Sequence, residues 1–270
     1  MGHVVSLLRY PLKSARGEQL PAVRGDVEGM RGDRGWACLD EADGTVGSAK
    51  HPDRWGRLLG VTAQADEHSS EVVVQVQGRR AVAGSEQADA LLSEYLGRPV
   101  RLTRSVPEQA RLHRRLPEEQ GLVPDWLTGA VPGQEMVTEL SGAQPGGRFV
   151  DFGPVHLLTT GALAELAGQL GRASVDASRF RPNIILEASH DPVPGQELRI
   201  GDVVLRVVLP TPRCIVPGLQ DEGTAVDRQL LTTLARQHRT GVGDLGRAAC
   251  FGVYAEVLRP GPLMVGQVVR

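Results

Sequence analysis

The chain has 270 residues, 41% of them hydrophobic, enough for one large or two small packed domains. A formal charge of −2 gives no electrostatic case for nucleic acid or an anionic membrane, and no apolar run approaches the roughly 18 residues of a membrane helix. Cys38, Cys214 and Cys250 are too few and too widely spaced for a disulfide framework or a CxxC zinc site, and the seven histidines show no paired spacing. A reducing, cytoplasmic setting is expected.

Met1-Gly2-His3-Val4-Val5-Ser6 has no charged region before a long apolar stretch, so a signal peptide is not expected. Its loose match to a myristoylation signal is outweighed by the strand that begins at Val4 and ends at Pro11. A second strand is read over residues 36–40, a third over 72–76 bounded by Gly78, and a fourth over 100–103. Ser85 caps a helix whose apolar face is Leu91, Leu92, Tyr95 and Leu96, with Gly97 past its end. Five prolines interrupt residues 104–148. This stretch is read as a connection packed on the functional site, because Trp126, Leu127 and Met136 are costly to expose. Beyond it, Thr159 or Thr160 caps a helix carrying Leu163, Leu166, Ala167 and Leu170, with Gly171 beyond. A hairpin over 198–208 turns at Gly201-Asp202, and Asp227 opens a helix with Leu230, Leu231 and Leu234. Strands over 253–258 and 263–269 close the chain. The expected class is mostly β with a few helices (α+β). No βαβ alternation is evident, and the absence of GxGxxG and GxxxxGK[ST] motifs argues against a Rossmann or P-loop domain.

Cys214 follows a β-branched strand and two prolines, directly after Arg213. A thiol at such an exit is a candidate nucleophile or metal ligand, since the thiolate is the reactive form and a neighbouring cation favours it. A buried cysteine acting as a small hydrophobe is the alternative. Lys13-Ser14, directly after the first strand, offers an ammonium and a hydroxyl beside free N–H groups, which suits a phosphate. A solvated turn would look the same. Arg34 could add a bidentate fork, or could pair internally with Asp33. Only two of the 30 basic residues are lysines, Lys13 and Lys50, which suggests sites where a compact ammonium is needed.

The series Phe180-Arg181-Pro182-Asn183, Ile200-Gly201-Asp202, Arg213-Cys214, Phe251-Gly252-Val253-Tyr254-Ala255 and Val265-Gly266-Gln267-Val268-Val269 resembles the MOSC domain, named after the molybdenum cofactor sulfurase C-terminus. Tyr10-Pro11-Leu12-Lys13-Ser14 and Asp33-Arg34-Gly35-Trp36 resemble the YPxKS and DRxW motifs of the β-barrel domain that precedes it. The set is similar to the mitochondrial amidoxime reducing component family and its bacterial relatives. The resemblance implies an N-terminal MOSC-type β-barrel domain over 1–104, a connecting segment over 105–148 and a MOSC β-barrel domain over 149–270. It implies a molybdenum cofactor (Mo-molybdopterin) whose metal is ligated by Cys214, the catalytic residue, with Lys13, Ser14 and Arg34 on its terminal phosphate. Lys50, Asp151, Thr159, Arg181, Asn183 and Arg213 are the further cofactor contacts it suggests. For Asp151 a plain turn carboxylate is the alternative, and for Arg181 an ion pair with a carboxylate such as Glu187.

Three departures stand out. Lys50 replaces an arginine usual in relatives. Phe152-Gly153 occupies a serine-richer stretch. Ile215 to Gly218 replaces a threonine pair and a DPxTG stretch, of which Asp221-Glu222-Gly223-Thr224 is a loose echo. The implied substrate is a small N-oxygenated molecule. With no Fe–S or flavin pattern in the chain, electrons would come from a separate donor protein. A persulfide carrier using Cys214 and a non-catalytic cofactor carrier are the competing readings.

Overall fold

The computed structural model describes residues 2–66, 71–140, 142, 147–220 and 225–270. It is 21% helical and 39% strand, with four α-helices among the described residues. One eight-stranded sheet dominates. Its strands are β1 (Val4–Arg9), β2 (Glu18–Leu20), β3 (Val155–Thr159), β4 (Ile184–Leu186), β5 (Glu197–Ile200), β6 (Val203–Pro212), β7 (Arg239–Gly241) and β8 (Arg247–Arg259). The order is β5-β6-β8-β3-β4-β1-β2, with β7 also paired to β8. β1 lies antiparallel to β4, Leu7 facing Ile184, so the sheet is built from both ends of the chain. Among the described residues this pairing has two free ends and does not close into a ring.

Alternation of side chains makes these segments strands. In β6, Val203, Leu205 and Val207 are buried while Arg206 and Val208 face outward. They pack with Val4, Leu7, Val155, Leu157, Ile184 and Ala255 in the main core. A second core around Trp55, Leu58, Val74, Leu92 and Tyr95 sits in the first hundred residues. There, strands over 62–65, 72–76 and 79–82 form a meander, and Ala37–Asp40 pairs with Val100–Thr103.

The four helices are α1 (Pro52–Trp55), α2 (Glu86–Leu96), α3 (Thr160–Gln169) and α4 (Arg228–Gln237). The expected caps are present. The side chains of Ser85, Thr159 and Asp227 accept from the backbone N–H of Ala88, Ala162 and Leu230, and Gly97 adopts φ 69°.

Three features differ from the sequence reading. β3 and β4 run parallel, and α3 lies on the crossover between them, so one βαβ unit is present. The last strand, read over 263–269, runs instead over Gly261–Met264 and pairs with Ala22–Asp26. The connection over 104–148 contains a hairpin, Arg111–Arg115 against Glu135–Glu139, whose polar sequence gave no strand signal.

Candidate functional site

Three segments flanking separate strands contribute to one cavity: the turn after β1, the stretch ahead of β3, and the exit of β6. Together with the connecting segment they enclose a cavity of about 350 Å³. Its walls carry eight cations (Lys13, Arg34, Lys50, Arg114, Arg115, Arg179, Arg181 and Arg213) against two carboxylates, Glu139 and Asp151. A chain with a net charge of −2 has thus concentrated positive charge in one pocket.

Cys214 lies just past β6, half-buried, on the wall of this cavity. The other two cysteines are buried elsewhere, and burial pushes the thiols of Cys38 and Cys250 up to about 12 and about 11. They are core residues. Among the described residues no group of three His, Cys, Asp or Glu side chains could hold a metal. A metal held by Cys214 would therefore need its other ligands from a bound group.

Lys13 is not a solvated turn lysine. It is 5% exposed, and its Nζ donates to Phe149 O and Asp151 Oδ1, both at 3.1 Å. Lys50 Nζ donates to the same Asp151 Oδ1 at 2.7 Å. Both lysines of the chain thus converge on one carboxylate. Burial alone would raise the Asp151 pKa, but the two ammonium groups outweigh it and hold the carboxyl well below its usual range. Lys13 is pulled the other way. Burial, reinforced by Lys50 and only partly offset by Asp151, lowers it from 10.5 to about 8. Two cations sharing one carboxylate leave an uncompensated positive charge.

Ser14 Oγ accepts from Ala49 N at 3.0 Å, which leaves its hydroxyl hydrogen free to donate. Arg34 makes the internal ion pair with Asp33 that the sequence left open, and also donates to Asn183 Oδ1 and Arg181 O. Arg181 does not pair with Glu187, which contacts His3 instead. It lies over the Tyr10 ring, 4.3 Å from the centroid, with Arg34 also over that ring at 5.1 Å. Burial and the charge of Arg34 lower Arg181 to about 10. Ser14, Arg34 and Arg181 have φ of 64°, 49° and 56°, and only one other non-glycine among the described residues, Gln77, is left-handed. Such backbone costs energy and concentrates at functional sites.

Two of the expected cofactor residues act as braces. Asn183 accepts from His156 N and donates to Leu8 O, joining β1, β3 and β4. Arg213 turns inward, donating to Phe251 O, Phe180 O and His156 Nε2. Thr159 is not at the cavity. It is fully buried, caps α3, and donates to Asp191 Oδ1 at 2.8 Å. Its hydroxyl is used within the fold, so Thr159 does not provide the cofactor contact that the resemblance suggested. Asp221 to Thr224 lie outside the described residues.

His156 and Tyr254 also line the cavity and were not singled out by the sequence reading. Burial, then the adjacent Arg213 charge, holds the His156 pKa well below 6.5, so the imidazole is neutral. Burial pushes the Tyr254 phenol up to about 12. His156 stands alone as a polar residue within the apolar run 155–158, which was the signal available. Tyr254 stacks on Phe152, which meets Trp126 edge-on, giving an aromatic wall. Trp126 and Leu127 reach the cavity as expected for the connecting segment, whereas Met136 does not line it.

Comparison with known proteins agrees with this architecture. The MOSC N-terminal β-barrel domain matches residues 1–99 and the MOSC domain matches residues 146–270. The human mitochondrial amidoxime-reducing component 1 is 24% identical over 303 aligned positions, covering all of this chain and 82% of its own length. The rat mitochondrial amidoxime reducing component 2 is 30% identical over 127 residues, which is 45% of this chain and 37% of the rat protein. The matching stretch thus spans little over a third of that relative. With both domain matches in sequence order over most of its length, the chain belongs to the MOSC family, a MOSC domain preceded by its N-terminal β-barrel domain.

Proposed function

We propose that this chain is a molybdenum-cofactor-dependent reductase of small N-oxygenated substrates such as amidoximes and hydroxylamines. The observation that carries the reading is one cavity with a half-exposed thiol, both lysines of the chain and a large excess of cations. The names of the relatives support the reaction type. The donor set fits the group. A soft thiolate at Cys214 suits molybdenum, and Lys13, Ser14 and Lys50 suit a terminal phosphate. When bound, the cofactor supplies a two-electron redox centre able to take oxygen from the substrate.

The protein's share is binding, orientation and protons. Cys214 would hold the metal. Arg181, over the Tyr10 ring, adds fixed positive charge, while the charge of Arg34 is balanced by Asp33. Asn183 and Arg213 lock the cavity floor behind them. The Trp126–Phe152–Tyr254 wall gives the cavity that holds Cys214 an aromatic side. Tyr254 stays protonated at neutral pH, and its hydroxyl can donate a hydrogen bond or a proton to a departing oxygen. His156, held neutral, adds no competing charge. Electrons enter from a separate donor protein. A persulfide carrier would need no such cationic seat.

The cofactor-loaded chain, given reduced viologen, is expected to convert benzamidoxime to benzamidine. A loaded, reducible protein inert toward amidoximes, hydroxylamines, N-oxides and S-oxides would instead support a cofactor carrier. A chain that never binds molybdenum yet takes sulfur onto Cys214 would support the persulfide carrier.

A further inference from the structure

We infer that Asp151 sets the specificity of the anion seat: it is a built-in carboxylate that holds both lysines until a dianion displaces it. This rests on the reading of Lys13 and Lys50 as a phosphate seat. The two ammonium groups come from separate loops and meet on one oxygen, Oδ1, at 3.1 and 2.7 Å. Among the described residues, they are the only hydrogen-bond donors to that carboxylate. The Asp151 side chain is 32% exposed, against 6% for Lys13 and 12% for Lys50. The carboxylate is therefore the most solvent-accessible of the three groups, and the lysines are the more deeply buried.

Charge decides which anions succeed. Two lysines and Asp151 leave one positive charge unbalanced. A bound dianion balances both lysines, but a dianion and Asp151 together would overcharge the pair, so the two exclude each other. A free monoanion offers no more charge than Asp151 already supplies. It also competes with a tethered group, whose effective concentration is on the order of millimolar or higher. Acetate or chloride is thereby rejected, whereas a phosphate dianion gains one more unit of charge than the carboxylate it displaces. The Ser14 hydroxyl offers it a further donor.

The test uses the full chain purified without cofactor, at about pH 7 so that Lys13 keeps its proton, and at constant ionic strength, with inorganic phosphate and acetate as probes. Because the chain has two lysines, labelled lysine gives two side-chain NMR signals. Phosphate should move both together and shift the Asp151 carboxyl signal as it loses its partners, while acetate moves none of them. In Asp151→Asn, calorimetry should show phosphate affinity raised about tenfold or more, and acetate binding should appear. If phosphate moves both lysine signals but leaves the Asp151 carboxyl unchanged, the inference is overturned and the phosphate seat stands. The same holds if a folded Asp151→Asn binds phosphate no better than the native chain. If phosphate moves neither lysine, the seat itself falls, and this inference with it.

Discussion

Arg213→Ala is expected to lower the stability of the protein by about 3–5 kcal/mol, near the top of the range for a single substitution. Arg213 is 8% exposed, and its guanidinium ties three separate elements together. Nε and Nη2 donate to Phe251 O in β8, Nη1 donates to Phe180 O at 3.1 Å, and Nη2 donates to His156 Nε2 in β3 at 2.5 Å. It also lies over the Phe180 ring, 5.4 Å from the centroid. Truncation strands two buried carbonyls and an imidazole nitrogen without partners, and opens a void where the stem packed. Lysine should not rescue it, because one ammonium cannot reproduce a planar fork aimed at three acceptors. Urea unfolding with an unchanged slope and a lowered midpoint is the measurement. A variant that unfolds like the native chain and loses only cofactor would return Arg213 to the direct binding role that the resemblance suggested.

Lys13→Met is expected to keep the fold and weaken cofactor retention by about 1.5–3 kcal/mol, roughly 10- to 150-fold. The fold survives because Asp151 keeps Lys50 as its partner. The loss is large because the ammonium is buried and a phosphate contact to it is charge-assisted. A pH signature accompanies it. The Lys13 pKa falls from 10.5 to about 8 on folding, so between those values the unfolded chain binds a proton that the folded chain does not. Carrying that buried charge costs stability below about pH 8, and the cost is relieved as pH rises through the window. The cofactor-free native chain should therefore show a rising contribution between about pH 8 and 10.5 that Lys13→Met lacks. Retention of an anion should fall over the same range as the ammonium discharges. Equal cofactor retention in Lys13→Met and native protein would remove Lys13 from the seat.

How much of this could be read in the sequence depended on distance along the chain. Helix caps at Ser85, Thr159 and Asp227 were legible, because cap and recipient N–H lie three residues apart. Burial of Cys38 followed from strand alternation, and burial of Cys250 from the apolar stretch around it. The rarity of lysine pointed to Lys13 and Lys50, but not to their common partner, which lies 138 and 101 residues away. The Arg213–His156 contact spans 57 residues and two strands, and no local pattern encodes it. The hairpin over 111–115 and 135–139 was missed because Arg-Leu-His-Arg-Arg carries little apolar alternation, and its pairing supplies what propensity does not. Thr159 shows the opposite failure. The motif placed it correctly as a cap, and Asp191, 32 residues on, completed the use of its hydroxyl away from the cavity.

Whether Cys214 ligates molybdenum is decided by metal analysis of protein purified from a host that makes the cofactor. Native chain and Cys250→Ser should each carry about one molybdenum per chain, since a soft thiolate suits this metal and Cys250 is a buried thiol held un-ionised. Cys214→Ser should be folded and essentially free of molybdenum. Stoichiometric molybdenum in Cys214→Ser, or none in the native protein, would contradict the account.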